Sequence, residues 1–126
     1  MLADLHIDEE ARMRTLSKGT REKVQLVLVM SRKARLYLLD EPIAGVDPAS
    51  RDYILRTILQ HYSPDSSILI TTHLIRDVEA VLDEFVFMGY GGCIVAYGDA
   101  EEVRRKEGRS LDEIFREVFR YVPQTL

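Results

Sequence analysis

The sequence predicts an α/β fold with a short parallel β core, flanking helices, a C-terminal β-hairpin and terminal helices. Three stretches predict it. First, Leu36-Tyr37-Leu38-Leu39 runs into Asp40-Glu41-Pro42. Four apolar residues closed by two acids and a proline read as a short strand buried on both faces, as in a parallel sheet. Second, a helical stripe (Ile54, Leu55, Ile58, Leu59, Tyr62) separates that strand from Ser67-Ile68-Leu69-Ile70-Thr71, another apolar run. Strand, helix, strand is a βαβ unit, so the two strands should lie parallel. Third, Glu84–Met88, then Gly89-Tyr90-Gly91-Gly92, then Cys93–Tyr97 has the composition of a hairpin.

The chain has 126 residues, enough for one domain that buries roughly two-thirds of its unfolded surface. Hydrophobic residues make up 46% and charged residues 30%, as in a soluble globular protein. A formal charge of −4 gives no electrostatic grip on nucleic acid, and none is expected as a partner. Cys93 is the one cysteine, so neither a disulfide framework nor a cysteine metal site is written here, and a reducing cytoplasm is the expected compartment. No apolar run approaches the roughly 20 residues of a membrane helix, and no signal peptide is visible.

From the start of the chain, Met1–Arg14 mixes acids (Asp8, Glu9, Glu10) with Arg12 and Arg14 and reads as a helical scrap with a solvated face. Thr15-Leu16-Ser17-Lys18-Gly19-Thr20 follows, then Arg21–Arg32. The run Leu26–Met30 has the β-branching of a strand, but Val24, Val27, Leu28 and Ser31 keep a helical spacing, and no turn residue interrupts Thr20 to Ser31. A helix apolar nearly all round, hence buried, fits better. Ser17 is its candidate N-cap, and Gly19 lets another group approach its first turn. Such a helix start offers free N–H groups and a positive dipole end to an anion, with Lys18 adding charge; the same residues also suit an ordinary capped helix.

Proline cannot continue a ladder, so the first strand stops where its acids begin, and open α/β sheets place ligands at that carboxyl end. Alternation should point Asp40 and Glu41 in different directions, one toward a metal and the other toward a reacting water. Asp47-Pro48 opens the next helix as N-cap and first-turn proline, and Ser63-Pro64-Asp65-Ser66 is a turn. His73, after the second strand, should emerge at the same sheet edge as Asp40 and Glu41, where an imidazole can donate to a phosphate oxygen. Leu74 to about Leu82 reads as a helix with its acids outward. Gly89, Gly91 and Gly92 are turn glycines, since no dinucleotide fingerprint or Gly-Lys pair accompanies them. Asp99-Ala100-Glu101-Glu102 and Ser110-Leu111-Asp112-Glu113 are capping boxes that open two terminal helices. In the second, Leu111, Ile114, Phe115, Val118, Phe119 and Val122 form an apolar face expected to dock on the domain.

The order of these pieces resembles the ATP-binding-cassette (ABC) ATPases: Leu-Ser-x-Gly-x opening a helix, apolar-Asp-Glu-Pro, Ala-Gly-Val-Asp-Pro, then Thr-Thr-His after another strand. The match runs from Leu16 to about Tyr97. The resemblance implies a partial P-loop NTPase fold, with residues 1–35 completing the signature region, 36–98 carrying the core and hairpin, and 99–126 the terminal helices. It implies ATP and Mg²⁺ as ligands. Leu16, Ser17, Lys18, Gly19 and Thr20 would be the signature that caps the γ-phosphate of ATP held by a second ATPase subunit, in a homo- or heterodimer. Asp40 would act on Mg²⁺ through its water shell, Glu41 would polarise the attacking water, Asp47 would cross the dimer interface and His73 would contact the γ-phosphate. A transmembrane permease would hold the subunit peripherally at the cytoplasmic face of the cell membrane.

Two departures from the family pattern stand out. Lys18 replaces the usual glycine and Thr20 the usual glutamine, while Ser17 and Gly19 keep the hydroxyl and the close approach. The sequence also contains no G-x-x-x-x-G-K-[ST] loop. It therefore looks like the C-terminal half of an ATPase domain, expected to bind ATP weakly or not at all alone and to expose sheet edges. The resemblance favours a transporter subunit, of the multidrug or antibiotic exporter kind. The alternatives are a DNA-repair or translation ATPase of the same superfamily and a catalytically silent interaction module.

Overall fold

A computed structural model describes residues 2–120. The chain forms two compact units, one running through Leu74 and the other starting at Ile75.

In the first unit, a 3-10 turn (Met13–Thr15) leads into helix α1 (Lys18–Met30), strand β1 (Leu36–Asp40), helix α2 (Pro48–His61) and strand β2 (Ser67–Thr71). The ambiguous apolar run is a helix, capped as expected: Ser17 Oγ accepts from Thr20 N at 3.2 Å. The pair β1 and β2 is parallel and in step from Leu36 opposite Ser67 to Asp40 opposite Thr71. Asp47 caps α2 by accepting from Ser50 N, with Pro48 in the first turn. The link from α1 to β1 is pinned by Tyr37, whose hydroxyl donates to Arg32 O at 2.5 Å, and the link into β2 by Ser66, which donates to Ala34 O at 2.6 Å.

Three expectations are corrected here. β1 is not buried on both faces: Tyr37 and Leu39 are covered, whereas Leu36 and Leu38 are 55% and 65% exposed and Leu69 of β2 is 57% exposed. A pleated pair covered on one side only buries alternate residues. α1 likewise buries one side, through Leu26, Val27 and Met30, and leaves Leu28 and Val29 exposed. The first residues form turns instead of a helix; Asp8, Glu9, Glu10, Arg12 and Arg14 do face solvent, but the segment is also anchored. Leu5 and Ile7 are buried, and Asp4 is tied to α2 by His61 Nε2 at 3.0 Å and by the Tyr53 hydroxyl on its carbonyl.

The second unit holds helix α3 (Ile75–Val78), a 3-10 turn (Glu79–Val81), strands β3 (Glu84–Met88) and β4 (Ile94–Asp99), and helices α4 (Ala100–Glu107) and α5 (Leu111–Arg120). The strands form the expected antiparallel hairpin; Gly91 and Gly92 turn it with φ of 71° and 77°, where glycine avoids a Cβ clash. Ile75, Phe85, Phe87, Ala100, Leu111 and Ile114 form the core, with Phe115, Val118 and Phe119 packed against it. α5 thus docks by the face predicted for it, and Phe115 meets Phe87 edge-on at 5.2 Å between ring centroids. Val122 lies outside the described residues.

The helix expected over Leu74–Leu82 is broken, and Glu79 does not point outward. Its two oxygens accept the backbone N–H groups of Leu111 and Asp112, each at 3.1 Å, while Ser110 Oγ accepts that of Glu113. The N–H groups that α5 cannot satisfy internally are met this way, which draws Glu79 inward.

Candidate functional site

The first unit brings Asp40, Glu41 and His73 to the carboxyl ends of β1 and β2. The ladder extends one residue past β1, with Glu41 N donating to Thr71 O at 2.9 Å. At Glu41 the backbone turns into the left-handed region, φ 45°. For a residue with a Cβ this costs about 1–3 kcal/mol, and such strain collects at functional sites. Glu41 therefore departs from Asp40 through this turn more than through the pleat. His73 Nδ1 lies 2.8 Å from Glu41 Oε1, and Glu41 Oε2 is screened from solvent with no hydrogen-bond partner among the described residues. The imidazole is 70% exposed and the Glu41 side chain 37%. Asp40 is exposed and receives a hydrogen bond on Oδ1 from the Thr71 hydroxyl.

Leu16, Ser17, Lys18, Gly19 and Thr20 form the entry to α1, with Lys18 exposed. Ser17 and Thr20 also share a hydroxyl–hydroxyl bond at 2.8 Å. Arg21 braces this entry by donating to the Leu16 and Arg14 carbonyls. A Cβ added at Gly19 would meet Gly45 O at 3.5 Å, an ordinary contact, so nothing among the described residues demands glycine there. The loop between β1 and α2 thus lies over the start of α1, and the Glu22 carboxylate occupies the space beside Gly45. A cavity of about 410 Å³ opens between α1 and β1, lined by Glu22, Leu26, Leu38, Asp40 and Glu41 among others. Asp47 stays at the start of α2, where hydrogen bonds from Ser50 hold its carboxyl below the ordinary value.

The donor set suits Mg²⁺ taken through water. No group of three His, Cys, Asp or Glu among the described residues could hold a metal by itself. Mg²⁺ typically keeps several waters and uses one or two carboxylates plus substrate phosphates, which Asp40 and its neighbour could complement.

The family model described as "AAA domain, putative AbiEii toxin, Type IV TA system" matches residues 5–75. The chain is 29% identical over 105 residues to the ABC-type transporter ATP-binding protein EcsA of Bacillus subtilis (strain 168), covering 81% of this chain and 42% of that one. It is 30% identical over 101 residues to the phosphate import ATP-binding protein PstB of Aeropyrum pernix, covering 79% and 40% respectively. A solved ATP-binding subunit of an ABC transporter superposes with a TM-score of 0.76 at 29% identity, over 93% of this chain and 50% of that one. The chain belongs to the AAA-domain ATPases of the ATP-binding-cassette type. Its fold is the α/β P-loop NTPase fold of that family. It spans about two-fifths of the length of the curated relatives it matches.

Within this cassette chain, sequence reading named the two acids and the imidazole but missed Thr71, Arg21 and Glu22. Thr71 could have been found: aligning the ends of two five-residue parallel strands sets a hydroxyl opposite the terminal Asp40. Arg21 and Glu22 act on backbone and on a glycine, which leaves no side-chain pattern to read.

Proposed function

We propose that this chain is part of the ATP-binding, ATP-hydrolysing subunit of an ABC membrane transporter, in which closure of two such subunits on nucleotide drives transport. The observation that carries the reading is the meeting of Glu41 and His73, 2.8 Å apart, beside Asp40 at one end of a parallel strand pair. Phosphoryl transfer depends mainly on positioning and on neutralising charge on the transferred group.

Glu41, whose Oε1 meets His73, is the acid that orients and polarises the attacking water. His73, donating Nδ1–H to Glu41, can also donate from Nε2 to a γ-phosphate oxygen when it is imidazolium. Asp40 would hold Mg²⁺ through water, and the metal would supply neutralisation of the charge on the phosphates. Leu16 to Thr20 cap the γ-phosphate of ATP held by the other subunit, through the free N–H groups and positive end of α1, and Lys18 adds a cation there. Asp47 lies on the loop that crosses between subunits. A transmembrane permease, in the exporter arrangement suggested by the Ala44-Gly45-Val46-Asp47-Pro48 loop and the apolar face of α5, places the subunit on the cytoplasmic face of the membrane. Among the described residues no helix is long and apolar enough to cross a membrane.

The sequence contains no phosphate-binding loop, so hydrolysis requires that loop from additional polypeptide. The test is phosphate release by the complete cassette, loop included, with Glu41→Gln as its control. Hydrolysis lost in the variant, with ATP binding kept, supports the reading; full activity in Glu41→Gln overturns it.

A further inference from the structure

We propose that Thr71 is a positioning residue for this chemistry, holding both strand-end acids through one hydroxyl and one carbonyl; the inference rests on the hydrolysis reading above. The strand register places Thr71 opposite Asp40. Its hydroxyl donates to Asp40 Oδ1 and accepts from Glu41 N at 3.3 Å, while its carbonyl accepts from the same N–H at 2.9 Å. An ionised carboxylate can only accept and an amide N–H can only donate, so the direction of the hydroxyl is set at both ends. Threonine is also stiff about χ1, which keeps Oγ1 in place. One oxygen of Asp40 is thereby anchored, and Oδ2 remains for water. The N–H that enters the left-handed turn at Glu41 is held at the same point, and that turn aims the Glu41 carboxylate at His73. Thr71 thus fixes the relative placement of the metal-side acid and the water-side acid without touching substrate.

Valine keeps the shape and β-branching of threonine but removes the hydroxyl, and Thr71 is exposed, so Thr71→Val should leave the strand pair intact. The tests use the complete cassette. Losing a hydrogen bond to a charged group should lower kcat and weaken metal affinity by about tenfold or more in Thr71→Val. Metal affinity is read without turnover, by electron paramagnetic resonance titration of Mn²⁺ into the ATP-bound Glu41→Gln cassette with and without Thr71→Val. Thr71→Ser, which keeps the hydroxyl, should recover most of both losses, and metal-free ATP affinity should not move. A purely structural role would shift the melting temperature alone. If Thr71→Val fails to fold, Thr71→Ala takes its place. Parental kcat and Mn²⁺ affinity in the hydroxyl-less variant, while Glu41→Gln alone abolishes hydrolysis, would overturn the role of Thr71 only. Hydrolysis surviving in Glu41→Gln would instead remove the underlying site reading.

Discussion

His73 Nδ1 and Glu41 Oε1 stand 2.8 Å apart although 32 residues separate them in the chain. Parallel pairing brings this about, since β1 and β2 end at the same edge and Glu41 and His73 follow them within two residues. The left-handed turn at Glu41 swings its carboxylate toward the residue after Thr72, and a two-residue slip in register would part them.

If Glu41 and His73 work as a unit, their losses will not add. Glu41→Gln in the complete cassette should lower the hydrolysis rate by about 10²–10⁴-fold, the usual range for a general base. His73→Ala should cost about 10²–10³-fold, as for loss of one transition-state donor. The double variant should fall close to the worse single one. Steady-state phosphate release measures all three, and fully multiplicative losses would count against a coupled pair.

Glu79 serves α5 more than its own turn. Glu79→Ala removes the acceptor for Leu111 N and Asp112 N and the partner of Arg104. The expected loss is about 1.5–3 kcal/mol of stability in the second unit. Urea unfolding, with hydrogen exchange faster in α5 than in β3, would register it; unchanged exchange in α5 would show that Ser110 suffices as the cap.

Asp47 predicts an acid-limb effect. Hydrogen bonds from the Ser50 side chain and backbone lower its carboxyl pKa from the ordinary 3.8. A depressed folded-state value means that the stabilisation is complete above 3.8 and is lost as pH falls through the lower, folded value. Asparagine caps about as well but does not titrate. The stability difference between the parent and Asp47→Asn should therefore stay constant above that pH and shrink below it. Thermal melts across the acid range test this, and a difference that grows on acidification would contradict it.

The exposed face of the strand pair carries Leu36, Leu38 and Leu69. Such an apolar sheet face favours association. The 126-residue chain should self-associate in sedimentation velocity. Leu38→Lys should shift it toward monomer, while Leu28→Lys on α1 should do so less. Equal effects from the two would place the contact elsewhere.

Much of the architecture was legible because it is written in neighbouring residues. Ser17, Asp47, Asp99 and Ser110 sit just before helices, and a cap acts within three residues of itself. The apolar period of Leu111 to Phe119 named the face that α5 buries. Burial of β1 was misread because a four-residue apolar run does not reveal how many layers cover it. The 3-10 turn at Glu79 escaped notice because the acid's partners lie 32 and 33 residues downstream.

By itself the sequence determined the order of elements, their caps, and the presence of Asp40, Glu41 and His73 at strand ends, since these depend on local backbone chemistry and side-chain period. Only the tertiary structure decided that Glu41 turns left-handed onto His73, that Thr71 grips Asp40, and that Leu36, Leu38 and Leu69 stand uncovered. Those outcomes depend on register and on which faces find neighbours, both set by residues far apart in the chain.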